Sequence, residues 1–231
     1  MKTLQETDLE FICDIQAPCF QSLIPEEVEL VKSSKTQIIF RKGDSLTKQG
    51  AFTSYVLFMI HGVAKQYVED NSVKSFNIQI VQSGEFVGLS AVFTNTPFNY
   101  STTALTNCQA FLIEKEAIMA IAKKNSTFGF DIIKRHCERN GNLYDVLRTV
   151  LYKQMNGRLA QTLLYLDEFK PENESIFPLL TRKDVADFAN VSPENAVKLL
   201  KTFEKEGLIA LNEKDIVIVN KGKLGEISKR G

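Results

Sequence analysis

The sequence predicts an α+β chain in two domains, an antiparallel β-roll and a C-terminal winged helix-turn-helix, joined by a long helix. Three observations carry this. Between Thr36 and Glu114, short β-rich runs alternate with Gly-bearing turns. From Phe128 to Gln154, apolar residues recur at helical spacing with no proline. From Leu180 to Ile209, two amphipathic stretches flank a tight corner, and two β-rich runs follow. The expected boundaries are 1–125 for N-terminal helices and the roll, 126–154 for the long helix, and 155–231 for the winged unit.

Composition narrows the class. The chain has 231 residues, 44% of them hydrophobic and 24% charged, which suits a globular protein of one large or two small domains. Lys+Arg equals Asp+Glu, so any nucleic-acid contact must come from a local patch. No apolar run approaches the ~20 residues that span a bilayer. Met1 to Glu6 lacks the apolar core of a signal peptide. Cys13, Cys19, Cys108 and Cys137 in a leaderless chain point to reduced thiols in a cytoplasm. There is no phosphate loop, no nucleophile elbow, and only His61 and His136 as histidines, so an enzyme is not expected.

In order along the chain, residues 4–32 read as short helices. The β-rich runs then fall at 37–40, 55–60, 63–68 and 73–81, each followed by a turn such as Lys42-Gly43-Asp44 or Ser83-Gly84-Glu85. In the long helix, Ile132, Leu143, Val146 and Val150, with Ile133, Leu147 and Leu151, form an apolar stripe interrupted by His136, Arg139 and Asn140. Such a stripe needs a partner, and the simplest is a second copy in a two-fold dimer. A further helix runs from Asn156 to Phe169, and the hinge is expected near Lys153–Asn156.

The last unit has the grammar of a helix-turn-helix. Val185, Ala186 and Ala189 give one apolar stripe; Ala196, Leu199, Leu200 and Phe203 give the next. Between them lies Asn190-Val191-Ser192-Pro193. Asn tolerates a left-handed backbone, Ser192 is a good N-cap, and Pro193 fits the first helical position. Gly207 suits the close of the second helix. Leu208–Leu211 and Ile216–Val219 read as two strands of a wing. The second helix of such a unit enters the DNA major groove by its N-terminal end.

The same order, with Phe40-x-Lys42-Gly43-Asp44, Gly84-Glu85-Phe86-Val87-Gly88, Gly157-Arg158-Leu159-Ala160-Gln161 and Thr181-Arg182, resembles the Crp/Fnr family of bacterial transcription regulators from about Phe11 to Val219. The resemblance implies a cyclic-nucleotide-binding-like jelly roll and a homodimer on a two-fold symmetric DNA operator. It also implies contact with RNA polymerase and an allosteric effector at the roll.

The family's recognition helix opens Ser-Arg-Glu-Thr with a second Arg one turn later. Here the stretch is Ser192-Pro193-Glu194-Asn195-Ala196-Val197-Lys198. Glu194 matches and could accept from cytosine. Pro193 removes the first guanine-reading Arg. Lys198 keeps the later charge without the bidentate fork. Asn195 could read adenine, while Thr181, Arg182, Ser192 and Lys201 are candidate backbone contacts.

A cyclic-nucleotide pocket of this family needs a Gly-rich turn, here Gly84, Glu85, Phe86 and Gly88, then a ribose-binding Glu, whose place is taken by Leu89. It also needs an Arg, whose place falls on Phe98 or Asn99. No Arg or Lys occurs from Gly84 to Ile113, and an unpaired buried phosphate is costly, so cAMP is not the expected effector. Leu143 and Tyr144 stand where adenine would meet polar residues. Phe86, Phe93, Phe98 and Tyr100 make the region apolar, which suits a closed core or a planar ligand such as haem.

Cys13-x5-Cys19 matches the last two of the three N-terminal cysteines of the iron–sulfur members, and Cys108 lies about three residues upstream of the fourth ligand. A cluster, a reversible disulfide among Cys13, Cys19 and Cys108, and plain buried thiols are the readings these residues leave.

Overall fold

In the computed structural model the described residues are 1–9, 11–12, 20–70 and 74–231. They divide into two compact units, Met1–Glu69 with Ile80–Gly141, and Asp70–Gln79 with Asn142–Gly231.

In the first unit, β1 (Lys2–Leu4), β2 (Lys35–Phe40), β4 (Tyr55–His61), β7 (Phe86–Val87) and β9 (Cys108–Glu114) form one sheet in the order β1-β2-β9-β4-β7. A second sheet is ordered β3-β8-β5-β6, from β3 (Ser45–Thr47), β5 (Ala64–Glu69), β6 (Ser75–Val81) and β8 (Ser101–Ala104), with Ser75–Gln79 of β6 counted in the second unit. The pairings described in register are all antiparallel.

Strand β4 shows why its sequence is a continuous apolar run. Val56 and Phe58 enter one buried cluster, and Leu57 and Met59 enter another, so both faces are covered. The first cluster centres on Phe20, Phe58 and Phe86, with ring centroids 4.9–5.7 Å apart in edge and tilted geometries, the favoured arrangements for aromatic quadrupoles. Phe128 and Ile132 complete it. The second holds Ile38, Phe40, Val81, Val87 and Cys108.

Three differences from the sequence reading have physical causes. Among the described residues near the N-terminus, helix α1 occupies Pro25–Ser33 and Lys2–Leu4 is a strand pairing Thr3 with Ile38, while residues 10 and 13–19 of the expected helices lie outside the described residues. Three residues are too short to show a period of two. Helices α2 (Leu89–Thr94) and α3 (Lys115–Lys124) were hidden inside and just after a β-rich texture. Helix α8 (Lys221–Arg230) follows the wing, where two glycines and a charged composition mask it.

Helix α4 spans Ser126–Tyr152, and α5 begins at Met155. The helical break therefore falls at Lys153–Gln154, inside the predicted hinge, whereas the boundary between the compact units lies at Gly141/Asn142, within α4.

In the second unit, α5 (Met155–Asp167), α6 (Arg182–Ala189), α7 (Pro193–Lys205) and α8 pack around Leu159, Leu163, Leu166, Phe177, Leu200 and Leu224, each 0–1% exposed. Strands β10 (Ile209–Asn212) and β11 (Asp215–Ile218) form an antiparallel hairpin. Ala186 is fully buried at the helix crossing. At the corner, Asn190 adopts φ 50° and ψ 49°, the left-handed conformation anticipated for it. A β-branched residue there is strained by about 1–2 kcal/mol. Asn190→Val is thus expected to lower unfolding free energy by that amount and Asn190→Gly to lower it little, as read by urea denaturation.

Candidate nucleic-acid interface and effector cradle

The sequence sets both ends of the paired helices. Thr181 caps α6: its Oγ1 accepts from the Asp184 N–H at 3.0 Å, and Asp184 Oδ2 accepts from the Thr181 N–H at 2.8 Å, a reciprocal capping box. Ser192 caps α7, accepting from the Asn195 N–H at 3.2 Å, with Pro193 in the first turn. These two hydroxyls, read from sequence as backbone contacts, therefore also terminate helices.

Of the remaining candidates, Glu194, Lys198 and Lys201 are exposed on α7, one turn apart along its face. Its own backbone N–H and the Ser192 hydroxyl hold the Glu194 carboxyl below its usual range, with Lys198 adding to the effect. Asn195 is half-buried and its amide donates to Met155 Sδ at 3.6 Å. Arg182 donates to the Glu213 carbonyl at 3.0 Å, tying the start of α6 to the wing turn. Burial lowers its guanidinium pKa, opposed by Asp215. The structure thus groups Glu194, Lys198 and Lys201 on one exposed surface and gives Arg182 a second task in placing the wing.

In the first unit, the Gly84–Gly88 turn is present, but its cradle is filled from within. Gly88 has φ 97°, and a Cβ built there would lie 2.8 Å from the Phe98 ring. The Gly88 N–H, which would face a bound anion, donates to Tyr100 Oη at 2.9 Å. Leu89 and Phe98 are buried, and the Phe98 and Tyr100 rings are 6.2 Å apart. Asn99 is exposed. Of the other two candidates, Leu143 belongs to the second unit and Tyr144 is 69% exposed.

One expectation is corrected. The absence of a cation between Gly84 and Ile113 does not leave the turn without positive charge. Helix α4 brings Arg135 to the Gly84 carbonyl at 3.5 Å, and Arg139 to the Phe86 carbonyl and to Gln66 Oε1 at 3.2 Å. Arg139 therefore faces the turn and does not interrupt the apolar stripe. Of the exposed apolar side chains on α4, which also include Leu143 and Tyr152, one stripe is Phe130, Ile133, Tyr144, Leu147 and Leu151. With Cys137 and Asn140 between them, these alternate by three and four, the coiled-coil repeat. Ile132, assigned to that stripe, lies in the roll core.

Burial raises the Glu85 carboxyl above the ordinary range, opposed by Arg139, a bond from the Gln82 N–H, and Arg135. A raised folded pKa means that this group's contribution is fully present below the ordinary value and is lost as pH rises through the folded one. Glu85→Gln is accordingly expected to be more stable than the parent at pH 7. The gap should narrow as pH falls toward about 4, the unfolded carboxylate range, in denaturant titrations at each pH.

Cys13 and Cys19 lie outside the described residues. Cys108 is 1% exposed, its Sγ within 3.3 Å of the Val63 carbonyl and 3.5 Å of the Thr106 carbonyl. Burial raises its thiol pKa. That environment stabilises a protonated, packed thiol and favours the plain buried-thiol reading for Cys108. Cys137 is exposed.

The fold and these surfaces define a class: a roll-bearing, DNA-binding transcription regulator. Residues 37–125 match the cyclic nucleotide-binding domain, and residues 157–227 match the Crp-like helix-turn-helix domain. The chain is 23% identical over 210 residues to the anaerobic regulatory protein of Bacillus subtilis, covering 88% of each. It is 21% identical over 180 residues to the cAMP-activated global transcriptional regulator CRP of Escherichia coli O6:H1, covering 75% of this chain and 85% of that one. The fold is similar to FixK2 from Bradyrhizobium japonicum, with a TM-score of 0.73 at 15% identity over 84% of this chain and 96% of that one. It is also similar to CLP of Xanthomonas campestris, a c-di-GMP responsive global regulator, with a TM-score of 0.72 at 18% identity over 84% and 98%. The chain belongs to the Crp/Fnr family, whose members are transcription regulators and not enzymes. Among the described residues, no helix is long and apolar enough to cross a membrane.

Proposed function

We propose that this regulator acts in the cytoplasm as a homodimer on a two-fold symmetric operator, reading bases with Glu194, Asn195 and Lys198, and that its effector is not cAMP. The observation that carries the DNA reading is the exposed face of α7, with Glu194, Lys198 and Lys201 one turn apart on a capped helix. A second α4 covering the Phe130–Leu151 stripe would present two such helices about one DNA turn apart, ~34 Å. Contact with RNA polymerase belongs to the same proposal and rests on the resemblance.

The effector reading rests on the filled cradle. Phe98 and Tyr100 occupy the floor where a cyclic phosphate would sit, and Leu89 offers no carboxylate to a ribose. The relatives' own names point to different signals, anaerobiosis, cAMP and c-di-GMP, so the signal does not follow from the family.

Selection of bound sites from random DNA, with and without oxidant, tests the proposal. Enrichment of sites with two inverted half-sites one turn apart is expected. Asymmetric sites would overturn the dimer, and no enrichment in either arm would overturn the reading of α7. Calorimetry with cAMP is expected to show no micromolar binding.

A further inference from the structure

We infer a second ligand site, apart from the Gly84–Gly88 cradle, in the second unit: a cavity of about 340 Å³ bounded by β6, the end of α4, α5 and α6, built for a small planar molecule with N–H donors and no negative charge. The inference does not rest on the reading of the roll.

One wall is aromatic. Tyr165 lies 5.0 Å from Phe169 in edge geometry and 6.1 Å from Phe188, and all three line the cavity. Such a wall accepts a flat ring or a delocalised cation. The charged groups lining the cavity are both acidic, Asp145 and Glu168, with no Lys or Arg among the described lining residues. Asp145 also pairs with Arg148 at 2.7 Å, but that pair is largely exposed and so weak.

The second, independent observation is Asn77. It is 1% exposed and lines the cavity. Its amide nitrogen donates to the Asp184 carbonyl at 3.0 Å, while among the described residues its Oδ1 accepts no hydrogen bond. Buried acceptors are almost always satisfied, so this oxygen calls for a donor from the cavity. A ring lying along Tyr165 and Phe169, with an N–H directed at Asn77 Oδ1, satisfies it. An aromatic amidine, amine or amide has that form; a carboxylate has the wrong charge and no donor.

The α4 residues at the cavity, Asn142, Leu143, Asp145, Val146, Thr149 and Val150, centre on a different face from the exposed stripe of Tyr144, Leu147 and Leu151. A helix paired through that stripe leaves the cavity available.

Three isosteric probes test the site on the full chain by saturation-transfer NMR and calorimetry: benzamidine, benzamide and benzoate. Benzamidine and benzamide are expected to bind, and benzoate at least tenfold more weakly than benzamidine. Val146→Trp, placed at a half-exposed helical position, fills the cavity and is expected to weaken benzamidine at least tenfold. Thr149→Phe, one turn on, is an independent filling variant, and thermal melts establish that each remains folded. Asn77→Leu removes the acceptor and is expected to weaken both donor probes. Failure of both donor probes to bind overturns the site, as does benzoate binding as well as benzamidine. Unchanged affinity in both folded filling variants overturns it too.

Discussion

Replacing Lys198 by alanine is expected to weaken operator binding by tenfold or more. Lys198 is exposed on α7 one turn beyond Glu194, where a base-edge contact is within reach of the first turns of a groove-bound helix. A lost Lys contact to a guanine edge costs roughly 1–3 kcal/mol of discrimination, and each 1.4 kcal/mol is about tenfold. Lys201→Ala makes the informative contrast. As a phosphate contact it should weaken all sequences alike and reduce the slope of log affinity against log salt by about one. Gel-shift titrations on the selected operator and on a scrambled duplex, at several salt concentrations, separate the two. Equal affinity of parent and Lys198→Ala on the operator would remove α7 as the base reader.

Leu200→Ala carries the largest expected loss of stability. Leu200 is 1% exposed, on the face of α7 opposite the lysines. Truncating a well-packed leucine costs about 2–5 kcal/mol, the spread depending on how far the surroundings collapse. Ala196 and Phe203 flank it on the same face, and small-to-small repacking there is limited because Ala186 already fills the helix crossing. Chemical denaturation should show the loss in the second unit. The exposed face is untouched, so under conditions where the domain remains folded, operator affinity should stay near the parent value. A loss of affinity at full folding would mean that the packing also sets the angle of α7.

The sequence revealed elements whose local chemistry agrees with their place in the fold. The corner at Asn190, the caps at Thr181 and Ser192, and the strand texture of β4 and β9 each follow from short-range preferences that packing reinforces. The site was legible where it is built from one stretch, as on α7. It was not legible where it depends on sequence-distant residues. Arg135 and Arg139 lie about fifty residues beyond the turn they face, and nothing in their spacing distinguishes them from solvated helix charges. Likewise Phe98 and Tyr100 read as generic apolar residues until the tertiary fold sets one ring on Gly88 and one hydroxyl on its N–H. The β1 strand is not legible in the sequence because its order comes from pairing with β2, not from its own three residues.

The modest charge of the α7 surface has a kinetic consequence. Lys198, Lys201 and, one turn on, Lys205 stand out on that face, with Glu194 beside them, in a chain of zero formal net charge. Random duplex then offers few counterions to release, so dwell times off target are short and genomic competition for the regulator is slight. Promoter search should proceed by repeated three-dimensional encounters more than by long scanning runs, and its pace should respond only gently to ionic strength.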